Sequence, residues 1–218
     1  MAKKTEEPTE NKTSVETDFD RDMTTWQQTP DRQRMVDEYC NLLLPIQRQG
    51  IPTLVAMLAK KNENGMTFFD EPASTKYHGA KLGGLVKHCL DVYKLFDSWN
   101  RVYELQLPQD SVVIAALLHD LCKWQTYYPN LTNKGVYSQT KAFEVIDVSP
   151  LGHGEKSVII VNRYVALTPD EELLIRWHMG PYDYNWKGYE ANVKKRCRAV
   201  EFLYLCDNLS AAASGLEE

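Results

Sequence analysis

Apolar residues recur every three or four positions along most of this chain, a period that predicts helices joined by short loops. Pro30-Asp31 opens the first predicted helix, which runs to Leu44 or beyond, where Pro45 bends or stops it. Pro52, at a first helical position, begins a shorter one that ends near Lys61. Residues 62–77 hold Asn64-Gly65 and Glu71-Pro72 and read as loop. Gly83-Gly84 then leads into a strong helix to about Trp99, with Leu85, His88, Val92, Leu95 and Trp99 on one stripe. Asp110-Ser111 caps the next, which carries Val113, Ala116, Leu117 and Asp120. The pattern breaks over residues 124–148, where aromatic and β-branched residues flank Asn133-Lys134-Gly135, the signature of a small hairpin or lid. Helical period returns over residues 154–167. Thr168 caps and Pro169 starts a helix that carries Leu174 and His178 one turn apart. After an aromatic loop at 180–189, a last helix runs to about Ala212. The expected fold is all-α with one small β insertion.

Composition adds limits. Hydrophobic residues make up 43% and charged residues 25%, ordinary for a soluble globular domain, and 218 residues suffice for a sizeable core. The longest apolar run, Val112 to Leu118, is far short of the roughly 20 residues a membrane span needs. Met1-Ala2-Lys3-Lys4-Thr5-Glu6-Glu7 lacks the apolar region of a signal peptide, and five scattered cysteines form no Cys-x-x-Cys pair. A cytoplasmic protein without a disulfide framework is expected. Residues 1–22 are acidic and poor in large apolar groups, so a disordered tail is expected there, followed by one domain over 23–218. With a net charge of −5, the chain lacks the basic footprint of a dedicated nucleic-acid binder. Lys194-Lys195-Arg196-Arg198 reads as a solvated helix face.

Chemistry enters with six side chains in order: His88, the pair His119-Asp120, His153, His178 and Asp207. A lone His on an apolar helix face is usually a hydrogen-bonded core residue. Here the anomaly recurs on helix after helix, and burying an unpartnered carboxylate costs several kcal/mol or more. Two inward carboxylates among imidazoles are best explained by a cation. His88, His119, Asp120 and Asp207 would make one site, and Asp120 has a second oxygen with which to bridge to an ion held by His153 and His178. Two such divalent transition ions (manganese, iron, nickel, cobalt or zinc) suit phosphoester hydrolysis, because they lower the pKa of a water and clamp phosphoryl oxygens.

The segments around these residues resemble the HD superfamily of metal-dependent phosphohydrolases over residues 77–212. Gly83-Gly84-Leu85-Val86-Lys87-His88 is similar to the family's Gly-Gly-Leu-x-x-His motif. Ala115-Ala116-Leu117-Leu118-His119-Asp120-Leu121-Cys122-Lys123 is close to its central motif. Leu151-Gly152-His153-Gly154, Trp177-His178-Met179-Gly180 and Cys206-Asp207-Asn208 supply the later ligands. The nearest resemblance is to the bacterial and phage branch that includes 3′-5′ exoribonucleases, although Met179 and Cys206 depart from its pattern, and the residues before 77 read as helices where that type carries a nucleic-acid-binding barrel. The resemblance implies an HD helical bundle and hydrolysis of a nucleotide or short oligonucleotide. Two other readings stay open: a di-iron oxygenase on the same ligand pattern, and a silent nucleotide-binding or regulatory module.

Most of the further residues carry more than one reading. Lys123 can place a cation over a substrate phosphate or pair with Asp120. His78 can contact substrate, act as general acid, or cap a helix. Gly83-Gly84 can offer N–H groups to a phosphate or permit close packing. Glu155 can support the metal site or stand exposed in a first helical turn. Tyr182, Tyr184 and Trp186 can stack on a base or cover the core. Arg163 and Arg176 suit surface pairing, Cys206 reads as packing rather than as a ligand, and Cys122 abuts the site with no base assigned to it.

Overall fold

A computed structural model describes residues 16–214. Among the described residues there are nine α-helices and one two-stranded hairpin. Helix α1 spans Asp18–Gln27, α2 Pro30–Leu43, α3 Ile51–Leu58, α4 Gly84–Val102 and α5 Gln109–Leu118. After the hairpin strands β1 (Tyr127–Pro129) and β2 (Phe143–Val145) come α6 (His153–Asn162), α7 (Pro169–Trp177), α8 (Trp186–Arg196) and α9 (Ala199–Ser214). None of these helices is long and apolar enough to cross a membrane.

Helix α5 is the axle of the bundle. Every residue from Ser111 to Leu118 is buried, because α4, α2 and α7 pack around it, with α9 lying against α4 and α7. Each large aliphatic side chain so buried contributes roughly 1.5–3 kcal/mol. Both ends are anchored by polar groups that a dry interior requires to be paired. At the N-terminal end Ser111 donates to Glu171 Oε1 (2.7 Å), and Arg48 grips the same carboxylate at 2.6 and 3.1 Å. At the C-terminal end the buried Tyr39 hydroxyl donates to the Leu117 carbonyl at 2.6 Å. This pairing satisfies one of the carbonyls that any helix end leaves open.

The all-α expectation holds, as does the insertion. Strands β1 and β2 pair antiparallel, Tyr127 opposite Val145, and the chain reverses through Gly135 at φ +75°. Beneath the hairpin lies a second small core of Phe19, Met23, Met66, Tyr127 and Phe143.

Four boundaries differ from expectation. Residues 18–22, assigned to the tail, form the first turns of α1, where Thr17 and Asp20 make a capping box and Phe19 and Met23 reach the core. The remainder of that expected tail, residues 1–15, lies outside the described residues. Pro108, rather than Asp110, precedes α5. The last predicted helix is two, since Cys197 turns out of helical geometry at φ −147°, ψ 87°. Finally, α5 stops at Leu118, so His119 is its cap residue and Asp120 lies beyond it at φ −100°, ψ 20°.

Candidate metal centre

That last difference shapes the site. Residues adjacent on a helix point about 100° apart. His119 and Asp120 turn toward one point because the helix ends between them and a 3-10 turn, Leu121–Lys123, follows. His178 likewise caps the end of α7, and His153 opens α6. Only His88 and Asp207 come from helix interiors, on α4 and α9.

Four of the predicted ligands face one another closely. His88 Nε2 lies 3.1 Å from Asp207 Oδ1, 3.3 Å from His119 Nε2 and 3.6 Å from Asp120 Oδ2. His119 Nε2 is 3.5 Å from Asp120 Oδ2 and 4.0 Å from Asp207 Oδ1. Donor atoms bound to one first-row ion at about 2.0–2.2 Å sit roughly 3–4 Å apart, so these spacings fit a common cation.

The histidines are oriented from behind. His119 Nδ1 lies 2.8 Å from the Ala116 carbonyl, and His178 Nδ1 lies 2.7 Å from the Ile175 carbonyl, each three residues back. A carbonyl only accepts, so Nδ1 carries the proton and Nε2 presents a lone pair. His178 Nε2 is fully buried, has no hydrogen-bond partner, and stands 3.6 Å from Asp120 Oδ1, too far for a hydrogen bond. A buried imidazole nitrogen 3.6 Å from a carboxylate calls for a cation between them; without an ion a proton suits that place, since, against its burial, Asp120 and Asp207 raise the His178 pKa. On this count the residues fit a metal.

Electrostatics agree. Burial pushes the Asp120 carboxyl up, but Lys123, His119 and His178 outweigh it and hold the group well below the usual carboxylate range. Asp207 is likewise drawn down to about 2 against its burial, by its hydrogen bond with His88 and the charges of His88 and His119. Burial lowers His119 to about 4, which keeps it neutral and able to ligate.

The remaining predicted residues gather at the rim. His153 is brought to Asp120 through an unexpected neighbour: its Nδ1 lies 3.1 Å from Cys122 Sγ, and donor atoms of Asp120, Cys122 and His153 fall within 4.8 Å of one another. Its ring lines a cavity, so it is accessible to solvent while protein surrounds it on most sides, and that desolvation lowers its pKa. Lys123 Nζ pairs with Asp120 Oδ2 at 2.7 Å and borders both cavities beside the site, about 420 and 250 Å³. His78 borders both as well, with its ring centroid 6.0 Å from that of His88. Burial, then the charges of His88 and Lys123, lower its pKa, so it is neutral near pH 7. A larger groove of about 550 Å³ between α1, α2 and α4 contains none of the six ligands.

Several open pairs of readings separate. Gly83 and Gly84 serve packing: their N–H groups donate to Asp70 and Lys81 carbonyls, and a Cβ on Gly84 would stand 2.1 Å from Gly79 O. Glu155 is not free in its first turn but pairs with Arg176, which also holds Asp183 at 2.7 Å and stacks on Trp177. Trp186 is buried against Trp177, Tyr184 is exposed, and Tyr182 borders the smaller cavity. Cys206 is fully buried, as packing requires. Within the basic cluster, Lys194 pairs with Glu190 and Glu201, and Arg196 with Asp170.

Comparison with known proteins matches the HD domain family model to residues 85–212, more than half of the chain. The chain belongs to the HD domain family. Its HD pair is His119-Asp120. This HD domain is 25% identical over 180 residues to the 3'-5' exoribonuclease YhaM of Geobacillus sp., an alignment covering 83% of the chain and 52% of that protein. It is 32% identical over 69 residues to the dihydroneopterin 2',3'-cyclic phosphate phosphodiesterase of Methanocaldococcus jannaschii, covering 30% of the chain and 28% of that protein. The chain thus spans about half the length of the first relative and less of the second. No solved structure matches it.

Proposed function

We propose that this HD domain is a metal-dependent phosphohydrolase that acts on a phosphoester of a nucleotide or short oligonucleotide. The observation that carries the reading is the unpartnered, buried Nε2 of His178 beside Asp120, whose other oxygen stands with His88, His119 and Asp207 at spacings that suit one ion. The two relatives, one named for RNA and one for a cyclic phosphate, point to phosphodiester chemistry.

Bound divalent ions would supply an acidified water and positive charge for the phosphoryl oxygens. His88, His119, Asp120 and Asp207 would hold one ion, and Asp120 with His153 and His178 would hold the other. Asp120 reaches both sets because its two oxygens face different imidazoles. Lys123 keeps that carboxylate ionised and presents an ammonium to a phosphate in the adjoining cavity. His78, neutral at the cavity wall, suits a hydrogen bond to the substrate better than proton donation. Tyr182, at the rim, offers a face for a base.

The test is release of phosphate or nucleotide from a panel of nucleotides, cyclic dinucleotides and short oligonucleotides. Metal-stripped protein is reloaded with manganese or ferrous iron and compared with Asp120→Ala. Turnover that disappears in Asp120→Ala is expected. Silence across the panel with metal bound would overturn the reading, and oxygen consumption by the ferrous form would then favour an oxygenase.

A further inference from the structure

Cys122 lies two residues beyond Asp120, in the 3-10 turn that follows the HD pair. It is buried, yet its sulfur faces the His153 ring nitrogen at 3.1 Å. Two contacts to α6 hold it there. The Cys122 N–H donates to Ser157 Oγ at 3.0 Å, and Ser157 is fully buried. Ser157 stands four residues after His153, on the same face of α6. One face of α6 therefore both anchors the Cys122 backbone and meets its side chain.

An independent feature of the same carboxylate points to a ligand. Asp120 Oδ2 is engaged by Lys123 and turned toward His88 and His119, whereas Oδ1 faces the buried, unpartnered Nε2 of His178. Two kinds of donor, imidazole and thiol, thus stand beside the outer side of the Asp120 carboxylate. Manganese and magnesium favour oxygen donors, whereas zinc, cobalt and iron accept sulfur.

We propose that Cys122 is a thiolate ligand of the outer metal ion, together with His153 and Asp120, and biases that position toward thiophilic divalent ions. As the metal–sulfur bond forms, the S–H bond breaks and its proton leaves to solvent, with no change in oxidation state. The inference rests on the metal part of the function proposed above and is independent of its substrate.

Cobalt(II) tests it, because a cobalt–thiolate bond absorbs in the near ultraviolet through charge transfer, which imidazole and carboxylate ligands do not produce. The stripped full chain is titrated with cobalt while the spectrum, bound metal and turnover are followed. The band is expected in the parent, to vanish in Cys122→Ala and Cys122→Ser, and to persist in Cys206→Ala. Affinity for the outer ion is expected to fall about 10–100-fold in the Cys122 variants. Continued binding of the inner ion would show that these variants are folded. A parent that binds two cobalt ions without the band, or a band unchanged in Cys122→Ala, would overturn the ligand. Failure to bind cobalt at all would overturn it together with the metal reading. An intact band without turnover would leave the ligand standing and remove only the phosphohydrolase.

Discussion

The two halves of the candidate metal centre are built differently. The inner half joins His88, in the second turn of α4, and Asp207, in the middle of α9, to His119 at the end of the buried axle α5. Its donors are packed at 3.1–4.0 Å before any ion is considered, and His119 is oriented by a carbonyl. The outer half would use His178, buried at the end of α7 and held by the Ile175 carbonyl, with His153 in the first turn of α6 and the proposed Cys122 in a 3-10 turn, and its His153 imidazole opens onto a cavity. Interior helix positions fix side chains by packing on several sides. Helix ends and turns fix them less, but leave room for a substrate. The inner ion should accordingly be held tightly, and the outer ion should be exchangeable and closer to the chemistry.

Asp120 belongs to both halves, so its removal has the largest effect. Asp120→Ala should lower turnover on the order of 10³-fold and weaken both ions. It also leaves the Lys123 ammonium, only 15% exposed, without its carboxylate, which costs about 3–5 kcal/mol. Asp120→Asn should recover part of that stability but not the activity. Thermal melting beside single-turnover assays separates the two losses, and equal activity loss with no change in melting would contradict the buried pair.

The halves themselves are compared by His153→Ala and His88→Ala. In His153→Ala one ion should remain at parental affinity while the other weakens about 10–100-fold. In His88→Ala the tight ion should be the one that weakens. Bound metal counted by elemental analysis after dialysis decides it. If His153→Ala releases both ions, the distinction between an inner and an outer half is wrong.

Much of the inner half was legible from sequence, and the outer half less so, for a physical reason. His88 could be placed because it rides an apolar stripe, and the α2 and α7 starts because Pro30 and Thr168-Pro169 announce them locally. Cys122 could not, since its role depends on α6 docking against the 3-10 turn through Ser157, a contact 35 residues distant in the chain. The end of α5 before His119 was also hidden, with no Gly or Pro beside it to mark the stop. The break at Cys197 likewise lacks a punctuating residue. The start of α1 does have a signal, Thr17 with Asp20 three residues on and Phe19 and Met23 one turn apart, but the acidic composition around it points to disorder.

A milder change asks what orients the tight half. Ser210 Oγ lies 3.1 Å from His88 Nδ1 and is buried one turn beyond Asp207 on α9. Ser210→Ala removes the partner that sets the ring while leaving every ligand in place. Affinity for the inner ion should fall about tenfold, with the outer ion unaffected. Competition against a chelator measures this, and an unchanged affinity would mean that packing alone holds the His88 ring.

The smallest effect on turnover, and the most telling for stability, concerns the brace behind the inner half. Glu71 Oε1 accepts from the Gln125 backbone N–H (3.1 Å), just past the turn that follows Asp120, and from Asn62 Nδ2 (3.2 Å). Its backbone carbonyl accepts from Leu85 at the start of α4 (3.0 Å). One residue therefore ties the His88 helix to the HD turn. Burial raises its carboxyl from 4.5 to about 8, against the hydrogen bonds that favour the ionised form. Below about pH 4.5 both folded and unfolded chains keep the proton, and the neutral group carries no penalty. Between about 4.5 and 8 the unfolded chain has lost a proton that the folded chain retains, so each unit of rising pH removes about 1.4 kcal/mol of stability. Above about 8 the loss is complete and constant. Glu71→Gln keeps the neutral shape and cannot ionise. It should match the parent near pH 4.5 and exceed it increasingly toward pH 8, with turnover little changed. Melting temperatures of the metal-free pair across that range give the answer. A gap that stays flat with pH would show that Glu71 is ionised in the folded protein, and that a charge, rather than a neutral acid, braces the HD turn.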